Sequence, residues 1–391
     1  MSNNKHAILV LFVILFLVMA GFGIVIPNIP YFIEALGGNS TVMGFFMASY
    51  SIMQFIFAPL WGRLSDRIGR RPVLLIGLGG YAVTFFLFGF VSSLWMLFAI
   101  RILAGMISSA TLPTAMAYIA DITEEGERSK GMGMMGAAMG LGMILGPALG
   151  GLLGHQNFSL PFFAAGGLAF LAWPFAWAWL PESNQSQSSG LGAKTRSIIP
   201  AALFRHALRN LFVLAFALNF TLAMFEASFA FFIADRGGYG PREMGILFAM
   251  MGLCGAIVQG GLLGRLAKRF GDSRMVIAGL VITGAGLLLL LSAHRLPGLL
   301  VTSAIFNVGA SLVGPGINSL ASLHNEHGQG VVQGMMQSAS SLGRIIGPVA
   351  GGLLYAFNSN LPYITGAAIL GVYLAGFGRR LEPKTVRPDE I

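Results

Sequence analysis

Apolar stretches close to twenty residues long follow one another along almost the whole chain, broken only by short clusters of Gly, Pro and charged residues. A helix needs about 20 such residues to cross the hydrocarbon of a bilayer. Composition agrees, since 55% of the 391 residues are hydrophobic and 10% charged, where a soluble protein carries about 25% charged residues. With Gly, Pro and charge clusters as punctuation, the sequence predicts helical spans at 7–30, 41–61, 72–91, 94–119, 130–153 and 161–180. A second set follows at 208–233, 242–263, 274–292, 297–320, 329–356 and 361–379. The expected fold is an all-α membrane protein with 12 transmembrane helices. The first run, Ala7 to Ile26, is read as a span and not as a cleaved secretory signal. It is longer than the core of such a signal, about 7–15 residues, and runs into Pro27 and Pro30 without a small-residue cleavage site.

The two sets are copies of one another. Residues 142–154 read GMILGPALGGLLG and residues 343–355 read GRIIGPVAGGLLY, an offset of 201. GRLSDRIG at 62–69 meets GRLAKRFG at 264–271 at an offset of 202. The chain therefore divides into six-helix bundles at 1–182 and 207–391 joined by a segment at 183–206, whose SNQSQSSGLGAKTRS reads as a flexible tether. Such doubling in a membrane protein points to an alternating-access carrier with its substrate site where the repeats meet.

The basic residues set the orientation. With both termini cytoplasmic, nineteen of the 24 Lys and Arg residues fall on the inner side, while the outer loops hold Arg236, Arg242 and Arg295. An inside bias this large fixes the topology in a cell membrane, and it accounts for the net charge of +9 without a nucleic-acid partner. A single cysteine, Cys254, excludes an internal disulfide and a cysteine metal cluster, and the six histidines are scattered, so no metal site is expected. There is no G-x-x-x-x-G-K-[ST] loop for ATP and no nucleophile–base arrangement that points to an enzyme. No cofactor is expected.

Gly142, Gly146 and Gly150 are four apart and line one helix face, as do Gly343, Gly347 and Gly351. Small residues at that spacing let helix backbones approach closely, and Pro147 or Pro348 would bend the helix beside them. A bendable, tightly packed helix in each half suits a hinge. Gly62-Arg63-Leu64-Ser65-Asp66-Arg67-Ile68-Gly69-Arg70-Arg71-Pro72 reads as a tight charged turn between the second and third spans. This G-x-L-x-D-R-x-G-R-R pattern resembles the loop motif of the major facilitator superfamily. Gly142 to Gly151 resembles the fifth-helix motif of its drug–proton antiporters, and Arg101 with Gly105 resembles a third family motif, with Ala104 in place of the usual Gln. Gly23-Ile24-Val25-Ile26-Pro27-Asn28-Ile29-Pro30 is similar to the first-helix pattern of the twelve-helix drug-efflux branch. Tyr118 to Thr123, Arg128 and Leu180-Pro181-Glu182-Ser183 resemble bacterial tetracycline exporters. The resemblance implies a proton-coupled exporter, acting as a monomer, in which Gly62, Asp66, Arg67, Gly69, Arg70 and Arg71 latch the cytoplasmic face against the start of the eleventh helix. It implies that Arg101 assists proton movement. The chain departs from tetracycline exporters in lacking acidic residues in its ninth and tenth spans.

Of fifteen acidic residues, Glu226 alone lies well inside a span. Ionised side chains are costly there and normally mark function. A carboxyl whose desolvation is offset by a nearby cation can load and release a proton. The candidate cation is Arg344: Glu226 lies fifteen residues beyond Leu211, and Arg344 fourteen beyond Gly330. At about 1.5 Å per residue both sit roughly 21–22 Å along their helices. A Glu226–Arg344 pair that a proton would loosen is expected, with Arg101 as competitor; a static structural pair is the alternative reading.

The resemblance implies that spans 1, 4, 7 and 10 contact substrate, here through Asn219, Phe225 and Glu226, Asn307 and Ser311, and Met116. Thirty-one Phe and twenty Met supply a soft interior able to repack around different guests. A lone acid in apolar surroundings suits lipophilic cations or neutral amphiphiles. The expected function is export of lipophilic compounds in exchange for protons. A single-substrate exporter, as of tetracycline, and a facilitative or proton-coupled sugar or metabolite carrier are the alternatives.

Overall fold

A computed structural model describes residues 2–183, 206–322 and 329–381, and among these every regular element is a helix. In chain order they are α1 (Ser2–Val25), α2 (Ile29–Ala35), α3 (Ser40–Ile68), α4 (Arg70–Gly89), α5 (Leu94–Ser108), α6 (Thr111–Ile122), α7 (Glu125–Gln156) and α8 (Leu160–Trp179). After residues 184–205, where most of the expected tether lies and which are outside the described part, come α9 (His206–Gly237) and α10 (Pro241–Ile257). A π-helical turn (Val258–Leu262) leads into α11 (Leu263–Phe270), then α12 (Asp272–Leu290), α13 (Leu296–Ser322), α14 (Gln329–Phe357) and α15 (Leu361–Leu381). Ten stretches are long and apolar enough to cross a membrane, and Leu361–Gly376 is a shorter apolar one. The Gly- and Ser-rich α14 falls outside that set.

Two expected elements break where proline forbids continuation. The first span divides into α1 and α2, because Pro30 has no N–H and its ring would press on the carbonyl of Ile26. The fourth divides into α5 and α6 at Ser109–Ala110, four residues before Pro113, for the same reason. The charged turn expected at 62–72 is mostly helix, since α3 runs to Ile68 and only Gly69 interrupts it. Gly69 has φ +103°, and Gly271, its counterpart in the second repeat, has φ +80°. A side chain would be strained at either position.

Two compact units emerge. One holds the helices through α8 together with Phe229–Gly252, and the other holds α9 as far as Ser228 with everything from Leu253 onward. The units differ from the repeat boundary because small residues draw α10 onto α7. A Cβ on Gly151 would lie 2.7 Å from Pro241 O and 2.9 Å from Gly245 Cα, and one on Gly245 would lie 2.5 Å from Pro147 O. The Tyr31 hydroxyl also donates to Tyr239 O at 3.1 Å.

In the first unit, α1 lies along α7 and α8, and α4 along α8 and α5. Its core includes Leu11, Ile14 and Leu15 of α1, Leu74 and Leu78 of α4, and the aromatic group Phe46, Phe88 and Phe162. In the second, α12 packs along α13 and α15, burying Val276, Leu280, Val313, Ile317 and Leu370. The outer faces carry large apolar side chains, among them Trp95 at 73% exposed and Val372 at 72%. Such faces suit lipid, where exposed apolar surface carries no penalty.

The repeated glycines do the same job in both copies. A Cβ on Gly142 would lie 2.7 Å from Ala20 N, and one on Gly146 2.6 Å from Ala20 O, while one on Gly150 would strike Ile24 O. Helix α7 thus seats its glycine face directly on the α1 backbone. On α14, Gly343, Gly347 and Gly351 face Phe216 O, Phe220 O and Met224 O of α9 at 2.7, 2.5 and 2.7 Å in the same sense. Pro147 and Pro348 lie inside helices that continue through them.

At the end of the α1 seam, Asn28 is fully buried and donates through Nδ2 to Ile24 O at 2.8 Å and Gly150 O at 2.9 Å. Its amide side chain occupies the space a Cβ on Gly154 would need. Asn28→Ala strands those carbonyls and is expected to cost about 1–3 kcal/mol. A lowered unfolding temperature of the detergent-purified protein would register it; an unchanged temperature would mean that the amide is dispensable.

Candidate functional site

Helices α5, α9 and α14 carry ionic side chains away from their ends. On α9, Glu226 keeps exposed surface although Phe225, Ala227 and Ser228 beside it are buried at 2%, 0% and 0%. Arg344, also exposed, is the cation that acts electrostatically on Glu226. The glycine seam explains this meeting. Gly343 and Gly347 press α14 onto α9 at Phe216 and Phe220, and Arg344 follows Gly343 directly. In the first repeat Phe16, Ala20 and Ile24 receive the equivalent glycines, so Ile26 and Met143 stand where Glu226 and Arg344 stand in the second. This combination of acid and cation occurs in one repeat only.

The other candidate contacts separate by face. Phe225, one residue from Glu226 and so about 100° round the helix, packs with its ring tilted against Phe306 at 4.3 Å and meets Tyr363 edge-on at 6.2 Å. It packs inside its own unit and steadies the α9 face that bears Glu226. Asn219 is half-buried and donates to Ala215 O at 2.9 Å. Ser311 donates to Asn307 Oδ1 at 3.1 Å, and both border the space over Gly255. Met116 is half-buried against the first core. Arg101 is 6% exposed in the first unit, between the rings of Phe46 and Tyr50.

The charged motif gathers partners from distant sequence. Arg70 pairs with Asp66 at 2.5 Å and Asp121 at 3.0 Å, and its Nη1 donates to Ser65 Oγ at 2.6 Å. Glu182 accepts the backbone N–H groups of Arg70 at 2.8 Å and Arg71 at 3.1 Å, so a carboxylate caps the start of α4. Its carboxyl sits against Gly69, leaving no room for a Cβ there. Tyr118 donates to Pro181 O at 2.6 Å, and Ser183 Oγ donates to Asp121 Oδ2 at 3.2 Å. Three motifs separate in sequence thus form one cluster, and the roles of Asp121 and Glu182 had no sequence signal beyond family likeness. Arg67 is exposed, and a Cβ on Gly62 would meet nothing within 4 Å among the described residues. The expected latch partner at the start of the eleventh span adjoins residues 323–328, which lie outside the described part.

The cluster's members differ in weight. The Asp66 side chain is 60% exposed and its pair is screened by solvent, so Asp66→Ala is expected to cost less than about 1 kcal/mol. Glu182→Ala removes two N–H acceptors at a helix start and is expected to cost about 1–2 kcal/mol. Thermal unfolding of the two variants checks the order, and the reverse order would refute the cap.

Ten stretches long and apolar enough to cross a membrane, with a carboxylate and an arginine held away from helix ends, define a polytopic membrane protein. The family model described as Major Facilitator Superfamily matches residues 11–262 and 238–390, and the chain belongs to that superfamily. Among curated relatives, Multidrug resistance protein 1 of Bacillus subtilis is 31% identical over 381 residues, covering 96% of each chain. Quinolone resistance protein NorA of Staphylococcus aureus is 28% identical and covers 95% of each. Solved structures share the fold. The nucleoside transporter NupG has TM-score 0.76 at 15% identity, covering 97% of this chain and 98% of that one. The human organic anion transporter MFSD10 has TM-score 0.69 at 23% identity, covering 97% and 99%. Among the described residues no group of three or more His, Cys, Asp or Glu side chains could hold a metal ion.

Proposed function

We propose that this chain exports lipophilic, drug-like compounds across a bacterial cell membrane in exchange for protons, by alternating access, as a monomer with both termini cytoplasmic. The observation that carries the reading is Glu226, an exposed acid on an apolar helix whose electrostatic partner is Arg344. A carboxyl in such a setting is costly when charged and is relieved by its cation, so a proton arriving on Glu226 weakens the pair and frees Arg344. Once Glu226 has lost its proton, substrate meets a surface with one carboxylate and the polar groups Asn219, Asn307 and Ser311, which favours lipophilic cations. The names of the multidrug and quinolone resistance relatives support export of several compounds in preference to a sugar or metabolite carrier. The Gly62–Arg71 segment serves as the cytoplasmic latch, and the glycine–proline helices α7 and α14 as the elements that bend.

Everted vesicles carrying the chain test this directly. An inward-acid gradient should drive ethidium accumulation, and collapsing that gradient should abolish it. Accumulation that persists without any gradient, or substrate counterflow indifferent to pH, would identify a facilitator and end the proposal. A susceptibility panel in an efflux-deficient host separates breadth from a single substrate: protection against several unrelated compounds is expected, and protection against tetracycline alone would refute it.

A further inference from the structure

Arg101 on α5 is 6% exposed and lies within a stretch apolar enough to span a membrane. Its guanidinium carbon sits 4.5 Å from the ring centre of Phe46 and 4.3 Å from that of Tyr50. These two residues are four apart on α3, so their rings leave one face of one helix. The Tyr50 hydroxyl lies 3.0 Å from Ser108 Oγ, which ties the ring to the helix that bears the arginine. Phe46 is steadied in turn by edge contacts with Phe88 at 6.3 Å and Phe98 at 5.9 Å. The titratable groups acting on Arg101 are Tyr50 from α3 and Tyr81 from α4, phenols and not carboxylates. Arg101 Nε has no hydrogen-bond partner among the described residues.

A carboxylate beside a buried guanidinium cancels its charge. A ring face attracts the cation through its quadrupole yet carries no net charge, so the positive potential survives. In surroundings of low dielectric that potential reaches further than it would in water. Two ring faces also hold a long, flexible side chain in one place.

We propose that Phe46 and Tyr50 are positioning residues for transport, their ring faces holding Arg101 as an unneutralised cation whose field acts on the proton-transfer step. This rests on the reading that Arg101 takes part in proton coupling. The rings act through Arg101 and touch neither proton nor substrate, and the Tyr50–Ser108 contact only orients the cage.

Full-length Phe46→Leu, Tyr50→Leu, Tyr50→Phe and Arg101→Leu variants are compared with the parent in proteoliposomes, with ethidium as probe. Gradient-driven transport is followed across pH, alongside downhill exchange without a gradient and thermal unfolding. Both Leu variants at the ring positions should lose about tenfold of gradient-driven transport, the equivalent of one decade in rate, and shift its pH midpoint by about half a unit or more. Downhill exchange should stay near the parent's, and Tyr50→Phe, which keeps the ring, should recover most of the loss. An unshifted pH profile in the ring variants, with Arg101→Leu uncoupled, overturns the cage and leaves the role of Arg101 standing. Equal loss of both transport modes with a lowered unfolding temperature reduces the rings to packing and also overturns it. Should Arg101→Leu keep full proton-driven transport, the underlying reading falls and the cage with it.

Discussion

Glu226→Gln should abolish proton-driven export while leaving a folded protein that still exchanges substrate downhill. Glutamine keeps the size and hydrogen-bonding reach of the side chain but cannot carry an exchangeable proton. Charged residues inside a span cost about 2.5–3.5 kcal/mol on insertion scales, so neutralising this one should leave the unfolding temperature unchanged or raise it. A loss of function without loss of stability separates a proton carrier from a structural pair. The measurements are ethidium transport against a proton gradient, expected to fall about a hundredfold or more, and proton release on adding ethidium to purified protein, expected to vanish. Export with proton exchange intact would remove Glu226 from the mechanism. Arg344→Gln is the complement: it leaves the acid without its cation and should also uncouple export from the proton gradient, read by the same ethidium assay.

Replacing Gly146 with Leu should prevent the first unit from assembling. The Cβ alone would lie 2.6 Å from Ala20 O and 2.8 Å from Gly23 Cα. Those atoms are backbone and cannot turn aside, so α1 would have to leave α7 along the whole seam. Core overpacking usually costs about 1–3 kcal/mol, and separating two helices that share a glycine face exceeds it. Gly140 provides the control on the same helix, since a Cβ there meets nothing within 4 Å among the described residues. Gly140→Ala is expected to be neutral or slightly stabilising, because Ala favours helix by about 1 kcal/mol over Gly. Yield of monodisperse protein and its unfolding temperature in mild detergent distinguish the two. If Gly146→Leu tolerated purification as well as Gly140→Ala, the seam would not be what holds α1 to α7. Gly347→Leu should mirror the first result and would also part Arg344 from α9.

Much of the architecture was legible before any coordinates. The spans, their number and their doubling follow from hydropathy and from the 201-residue echo of the glycine–proline motif. The lone intramembrane acid was visible for the same reason, since a charge stands out wherever the chain is otherwise apolar. Small-residue spacing predicted that α7 and α14 would pack closely, without saying against what. Where local steric rules compete with hydropathy, boundaries shifted. Pro30 and Pro113 split two expected helices, and α3 continued through the charged segment until Gly69 at φ +103° released it.

Other features depended on which faces meet. Phe225 and Glu226 are neighbours in sequence, yet one is buried against Phe306 and Tyr363 while the other is exposed. Glu182 caps a helix that begins 112 residues earlier. Arg101 is enclosed by rings from another helix, and α10 joins the first unit through Gly151 and Gly245. The sequence alone determined that this is a doubled helical membrane protein with one acid inside its spans, because helix formation and the cost of charge in hydrocarbon act locally along the chain. Only the tertiary structure decided which partner each helix face met, because those contacts depend on shape complementarity between residues far apart in the chain.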